Sequence, residues 1–332
     1  MKALVYTGKN TVVFRDEPDP VPGNDEVLVK IDACGVCGSD MHAYHGHDGA
    51  RRPPPLILGH EASGIVMTGG KAGRRVAINP LVTCGTCLDC LDGRTHLCAS
   101  RVVLSMPARP GAFAEIVRVP EANLVELPMG FDLVKASLAE PVAVSYHAVN
   151  RGLRMLSRPA SSAQCVVLGG GAIGLASALV LAMSGVGKIH IAEPNAKRRE
   201  TAQSAGPFKV YAPGGSGEPK DSSVDLVIDA VGAGATRADA CRLARPGATI
   251  VHVGLLPGTD GVDVRKLTLQ EINFVGTYCY TMVDFRETVA ALAAGRLGNL
   301  AWTEERPLKE GAAAFRDIDA GVTAAAKIIL RP

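Results

Sequence analysis

"QCVVLGGGAIGLASALVLAMSG", Gln164–Gly185, decides the fold. A short β-branched run ends on glycines, and an apolar segment of helical length comes next. Gly169, Gly171 and Gly174 stand in G-x-G-x-x-G spacing, the turn that lets a strand pass directly into a helix. Without side chains there, backbone amides at the helix N-terminus can approach a pyrophosphate. A plain tight turn uses the same residues, so the motif gains weight from the strand-like run after the helix. That run, "KIHIAE", ends in Glu193, nineteen residues after Gly174. A carboxylate there meets the ribose hydroxyls of a dinucleotide and repels a 2′-phosphate, which favours NAD over NADP. Lys197, Arg198 and Arg199 are the contrary signal, as a basic cluster suits that phosphate or simply opens a solvated helix. Residues 168–187 carry no charge over a length that would cross a bilayer, yet the glycines and the adjoining "KIHIAEPNAKRR" read as a buried helix.

Outward from this turn the texture divides. Residues 146–284 alternate strand and helix, the pattern of a parallel sheet covered on both faces. Residues 1–145 read instead as short strands between proline and glycine clusters, a β-rich unit. A helix and a strand-like tail within 285–332 are expected to complete the first unit. With 332 residues, 47% hydrophobic and 20% charged, the chain has material for two ordinary domains. A net charge of +2 recruits neither nucleic acid nor an anionic membrane. "MKALVYTGKN" lacks the apolar core of a secretory signal, so the cytoplasm is the expected location.

Nine cysteines form no even disulfide framework. Cys84, Cys87, Cys90 and Cys98 stand as C-x2-C-x2-C-x7-C, which lets four sulfurs turn toward one point. Four soft ligands at this spacing favour a closed, structural Zn²⁺ over an iron–sulfur cluster or redox-active thiols. A second donor set is scattered: Cys37, His60, Glu61 and Glu140. A mixed thiol, imidazole and carboxylate site leaves a position for substrate, which is how a catalytic zinc is held. Each of these residues taken alone also has an ordinary reading, as core cysteine, loop histidine or helix-start acid.

"CGVCGSDMHAYHG", "PLILGHEASGIV", "CGTCLDCLDGRTHLC", "EPVAVSYHAV", "VLGGGAIGL" and "AAKIILRP" together resemble the zinc-containing medium-chain dehydrogenase/reductase family. Within it they are most similar to the branch of sorbitol (polyol), threonine and butanediol dehydrogenases, in family order from Met1 to Pro332. The resemblance implies an α/β plus β-rich fold: a GroES-like catalytic domain with a Rossmann doubly wound parallel-sheet nucleotide-binding domain. It implies two zinc ions. Cys37, His60 and Glu61 fall on the catalytic ligands, with Glu140 beside the metal and able to exchange onto it; the four clustered cysteines fall on the structural ligands. Ser39 matches the residue that hydrogen-bonds the alcohol oxygen, and His42 a position used for onward proton transfer. Ile173, Glu193, Arg198, Val253, Gly254, Leu255, Thr277 and Tyr278 match dinucleotide contacts.

Reversible oxidation of a secondary alcohol to a ketone, with hydride passing to NAD, is the implied reaction. Sugar alcohols or sugar acids are the first expectation, with Tyr44 and Glu140 in a polar-tolerant pocket, and threonine or a vicinal diol the second. The resemblance also implies a small-molecule substrate and a homodimer or homotetramer, with no nucleic acid or membrane partner. A non-catalytic zinc- and nucleotide-binding protein is the reading from another class. Two departures stand out: the segment 67–76 is shortened near the catalytic lobe without removing a proposed ligand, its effect on the cleft left open, and the stretch from Ala205 to Asp225 is compressed.

Overall fold

A computed structural model describes all 332 residues. Its chain builds two large sheets of opposite character, of seven and six strands, that meet along one long helix, with two smaller sheets beside them. The parallel sheet has six strands in the spatial order Lys209–Tyr211, Lys188–Ala192, Gln164–Leu168, Val224–Asp229, Ala244–His252, Asn273–Gly276. Every neighbouring pair is parallel. "VDLVID" is buried at every residue, as expected of a strand covered on both faces. The chain order reverses beside Gln164–Leu168, and such a switch point leaves a crevice at the strand's carboxyl end, where the glycine turn sits.

The uncharged stretch resolves into that strand and the helix Ala172–Met183, buried along most of its length. No helix of the structure is long and apolar enough to cross a membrane. Over it lies the helix Ala139–Leu153, which starts at the β-rich unit and ends against the parallel sheet. A side chain at Gly152 would strike Leu226 and Val251, so glycine permits the close helix-to-sheet approach.

The β-rich unit centres on the long strand Glu26–Gly35, which pairs with Glu61–Val66 and Ile116–Pro120. The C-terminal strand Lys327–Arg331 pairs antiparallel with Cys34–Gly35. The tail therefore returns to the first unit, and it carries Lys327 to the end of Glu26–Gly35 where the donor residues begin.

The shortened segment lies elsewhere. It forms the hairpin between Glu61–Val66 and Arg75–Ile78, closed by Gly73 N donating to Val66 O at 2.8 Å. Five residues of strand, roughly 16 Å, separate that hairpin from Glu61, and none of its residues lines the cleft that holds Cys37 and Glu61. Tyr44 departs from expectation. It is 5% exposed and packs on Phe315, ring centroids 5.2 Å apart, in the core of the β-rich unit, and it does not line the cleft that holds Cys37 and Glu61.

Candidate functional site

Cys37, His60 and Glu61 converge from three places in the chain. Cys37 caps the helix Gly38–Tyr44, while His60 and Glu61 sit at the start of the strand that pairs with Cys34 and Gly35. One donor atom from each lies within 4.8 Å of the others. Asp40 organises this convergence. Its Oδ2 accepts from Cys37 N at 3.0 Å, its Oδ1 accepts from Gly59 N at 3.2 Å, and the same Oδ1 lies 3.6 Å from His60 Nδ1. Burial opposes a charge on His60, but Asp40 and Cys37 more than offset it and hold its pKa well above the usual imidazole value. Metal would displace that proton.

Glu61 shows the same latent demand. Its Oε1 accepts from Lys327 Nζ at 2.6 Å, whereas its buried Oε2 has no partner. A thiol, an imidazole and a carboxylate with an orphaned oxygen fit a zinc ion with an open position.

Glu140 stands beside this trio rather than in it. It enters on the first turn of Ala139–Leu153, and its Oε1 accepts from Tyr280 Oη at 3.0 Å. Burial, with Glu61 nearby, pushes its pKa up to about 7 despite His60. Ser39 and His42, half-buried, lie one turn apart on the helix Gly38–Tyr44 and share a face.

The four clustered cysteines form a separate lobe framed by the hairpin Leu81–Val82 and Val102–Val103. Cys84 Sγ is 3.9 Å from Cys90 Sγ and 3.6 Å from Cys98 Sγ. Sulfurs around a tetrahedral zinc, each about 2.3 Å from it, stand roughly 3.8 Å apart. Backbone amides of Thr86 and Cys87 pull the Cys84 thiol down to about 6, toward the thiolate a metal requires. Leu88 and Leu91 are largely exposed, so the lobe has little apolar core to hold it by itself.

The glycine turn shows three roles by its surroundings. Gly169 has φ +96° and would press a side chain on Val231; Gly174 would drive one into the Gly169 carbonyl. Nothing stands within 4 Å of the position a side chain would take at Gly171, the N-cap of Ala172–Met183, which is the open cradle a phosphate needs. Glu193, 4% exposed, is fixed at both oxygens: Oε2 accepts from Gly170 N and Oε1 from Asn195 N, each at 2.8 Å.

One cleft of about 430 Å³ joins the two constellations. Cys37 and Glu61 line one end, and Gly169, Gly171, Ile173, Gly174, Glu193 and Arg198 line the other. Arg198 Nε is buried without a partner. Val253, Gly254, Leu255, Thr277 and Tyr278 lie outside that cavity, at and beyond the ends of Ala244–His252 and Asn273–Gly276. Among these, Thr277 leaves a buried hydroxyl without a partner, and Leu255 is 71% exposed. Sequence reading missed Asp40, Tyr280 and Lys327, although each stands in or beside a motif: "GSDMH", "GTYCY" and "AAKIILRP". A lysine inside an otherwise apolar terminal strand was the available signal for Lys327.

Residues 23–129 match the family described as "Alcohol dehydrogenase GroES-like domain", and residues 172–294 match "Zinc-binding dehydrogenase". L-galactonate-5-dehydrogenase of Escherichia coli (strain K12) is 31% identical over 312 residues, 90% of this chain and 88% of that protein. Among solved structures, a zinc-binding dehydrogenase of Sinorhizobium meliloti 1021 bound to NADP is 29% identical, with a TM-score of 0.88, covering 100% of this chain and 99% of that one. An alcohol dehydrogenase of Escherichia coli CFT073 complexed with NADH is 25% identical, with a TM-score of 0.89 and the same coverage.

Proposed function

Because this chain belongs to the zinc-binding medium-chain dehydrogenase/reductase family, and so is an oxidoreductase using zinc and a nicotinamide dinucleotide, we propose that it reversibly oxidises a secondary hydroxyl of a polyol or sugar acid to a ketone with NAD. The observation that carries the proposal is the single cleft holding both the Cys37 and Glu61 donors and the glycine turn with Glu193. A substrate held between them has its carbinol beside the metal ligands and its C–H toward the dinucleotide. The likeness to an L-galactonate-5-dehydrogenase supports the choice of polyol chain over threonine or a simple diol.

Cys37, His60 and Glu61 would hold the catalytic zinc, which when bound supplies Lewis acidity and favours loss of the hydroxyl proton at neutral pH. Ser39 takes that proton at its hydroxyl, and His42, one turn further along the helix, passes it to water. Glu140, whose pKa burial raises, puts a proton-exchanging group beside the ligands while Tyr280 fixes its position. Asp40 holds the His60 ring and the Cys37 backbone in place. Cys84, Cys87, Cys90 and Cys98 would hold a second zinc that pins their lobe, since four sulfurs leave no position for substrate.

NAD is favoured because the Glu193 carboxylate, locked by two backbone amides at the end of the strand that follows the glycine turn, would repel a 2′-phosphate. Residues 1–145 with 285–332 would form the catalytic domain and 146–284 the nucleotide domain. The open edge strand Asn273–Gly276, with exposed Phe274, Val264 and Leu269 nearby, suits pairing with a second copy and supports a homodimer or homotetramer. Nine free cysteines suit the reducing cytoplasm.

The test is a screen of hexitols, hexonates and threonine with NAD⁺ and NADP⁺ side by side, monitored by reduced-nicotinamide absorbance. Turnover of a polyol or sugar acid with NAD⁺ supports the reading. Turnover of threonine alone would overturn the substrate class, and preference for NADP⁺ would overturn the reading of Glu193.

A further inference from the structure

Three side chains at and along the helix Ala196–Ala205 reach out of the nucleotide unit and end on one stretch of the other unit. Asn195 Nδ2, at the N-cap, lies 3.4 Å from Gly321 O; Lys197 Nζ lies 3.5 Å from Val322 O; and Thr201 Oγ1 donates to Ala324 O at 2.9 Å. The threonine bond is the short one, and its acceptor is unusual. A threonine inside a helix ordinarily returns its hydroxyl proton to the carbonyl four residues earlier. Lys197 O stands there at 3.2 Å, yet the single proton of the hydroxyl has its closer acceptor on the other unit. Positions 197 and 201 are one turn apart, so both aim from the same helix face.

The stretch they hold, Gly321–Ala326, joins the helix Gly311–Asp319 to the C-terminal strand and has no regular structure of its own. Gly321 turns the chain out of the helix with φ +63°, the left-handed conformation that glycine allows. Backbone bonds fix its ends: Val322 N donates to Asp317 O at 3.2 Å, and Ala326 N to Trp302 O at 3.0 Å. Between them the amides of Thr323, Ala324 and Ala325 donate to no backbone carbonyl, so the middle is held by the Thr201 hydroxyl. Thr323, 6% exposed, and Ala325 line the same cleft as Glu193 and Arg198, whereas Thr201 does not. The wall that this stretch gives the dinucleotide end is therefore fixed from the neighbouring unit.

Resting on the reading of this cleft as the dinucleotide site, we propose that Gly321–Ala326 is a strap over that site and that Thr201 is its catch: the dinucleotide enters and leaves when the bond from Thr201 to Ala324 opens and the strap swings on Gly321. The Thr201 hydroxyl is spent on the Ala324 carbonyl, so Thr201 is a positioning residue that acts through the strap. A gate stands on the way in and the way out alike. Loosening it speeds both passages and leaves their ratio, the affinity, nearly unchanged, whereas loss of a direct contact with the dinucleotide changes the affinity itself.

The experiment compares the zinc-loaded wild type with Thr201→Val, which keeps the branched shape and deletes the hydroxyl, and with Thr201→Ser, which keeps the hydroxyl. Stopped-flow nicotinamide fluorescence reads the association of NADH and its displacement by excess NAD⁺, with NADPH and NADP⁺ run in parallel. Loss of the one hydrogen bond in Thr201→Val should raise both rate constants roughly 2- to 10-fold while Kd stays within about a factor of two. Thr201→Ser should return both rates toward the wild type, and Thr201→Ala serves as the test should the valine variant fail to fold. Unchanged rates, or faster dissociation alone with a matching loss of affinity, overturn the proposal. A protein that binds neither dinucleotide refutes the reading of the cleft instead. Hydrogen exchange then decides on the strap: faster exchange of the Val322 and Ala326 amides in Thr201→Val than in the wild type supports it, and equal exchange overturns it.

Discussion

Lys327→Met removes the only cation paired with Glu61, and the structure sets the size of the consequence. The ion pair is 2.6 Å long, with side chains 4% and 1% exposed. Burial disfavours the ammonium charge, yet Glu61 and Cys37 hold the Lys327 pKa above the ordinary lysine value. Nζ also donates to Val36 O at 2.9 Å, so the methionine leaves a buried carboxylate and a carbonyl without their donor. Removing one partner of a buried pair costs about 3–5 kcal/mol, because the other charge remains in the interior. The measurement is urea unfolding of chelator-treated protein, with Lys327→Met, Glu61→Gln and the double variant forming a cycle. Coupling of about 2 kcal/mol or more is expected, with the double variant more stable than Lys327→Met alone. Adding zinc should shrink the penalty, since the freed carboxylate then faces a metal. A loss below about 1 kcal/mol in the chelated Lys327→Met protein would refute the reasoning.

Two other contacts carry predictions of their own. Asp284 accepts from Thr281 and lies 2.8 Å from His147 Nδ1; burial raises its pKa, but those partners prevail and hold it below the usual carboxylate value. Asp284→Asn should cost about 1–3 kcal/mol at neutral pH. Because the folded pKa is the lower one, that difference is full above the ordinary aspartate pKa and vanishes as pH falls through the folded value, a trend that pH-dependent denaturation reads directly. Glu193→Gln should raise the NADP⁺-to-NAD⁺ ratio of kcat/KM about tenfold or more, and an unchanged ratio would assign cofactor choice to other residues.

What was legible in the sequence is what short-range spacing encodes. The glycine turn, the acid after the next strand and the four-cysteine lobe each depend on residues close along the chain, and each is formed as its spacing requires. The catalytic donors were legible only through resemblance, because Cys37 and His60 share no local spacing and meet through pairing of Glu26–Gly35 with Glu61–Val66. Residues that serve these donors were not legible. Lys327 reaches Glu61 across 266 positions, Tyr280 reaches Glu140 across 140, and nothing local marks either partnership. Tyr44 failed for a related reason: proximity to a motif in sequence says little about which side of a helix a residue occupies.

The central claim is that turnover belongs to the scattered trio and fold support to the cysteine lobe. It is tested most directly by measuring zinc content and NAD-linked turnover together in the wild type, Cys37→Ser and Cys98→Ser. The account predicts two zinc ions per chain and activity in the wild type, matching the two donor clusters. Cys37→Ser should keep one zinc and the native fold while losing turnover, and Cys98→Ser should keep one zinc and lose stability first. Full turnover by a Cys37→Ser protein lacking that zinc would contradict the account.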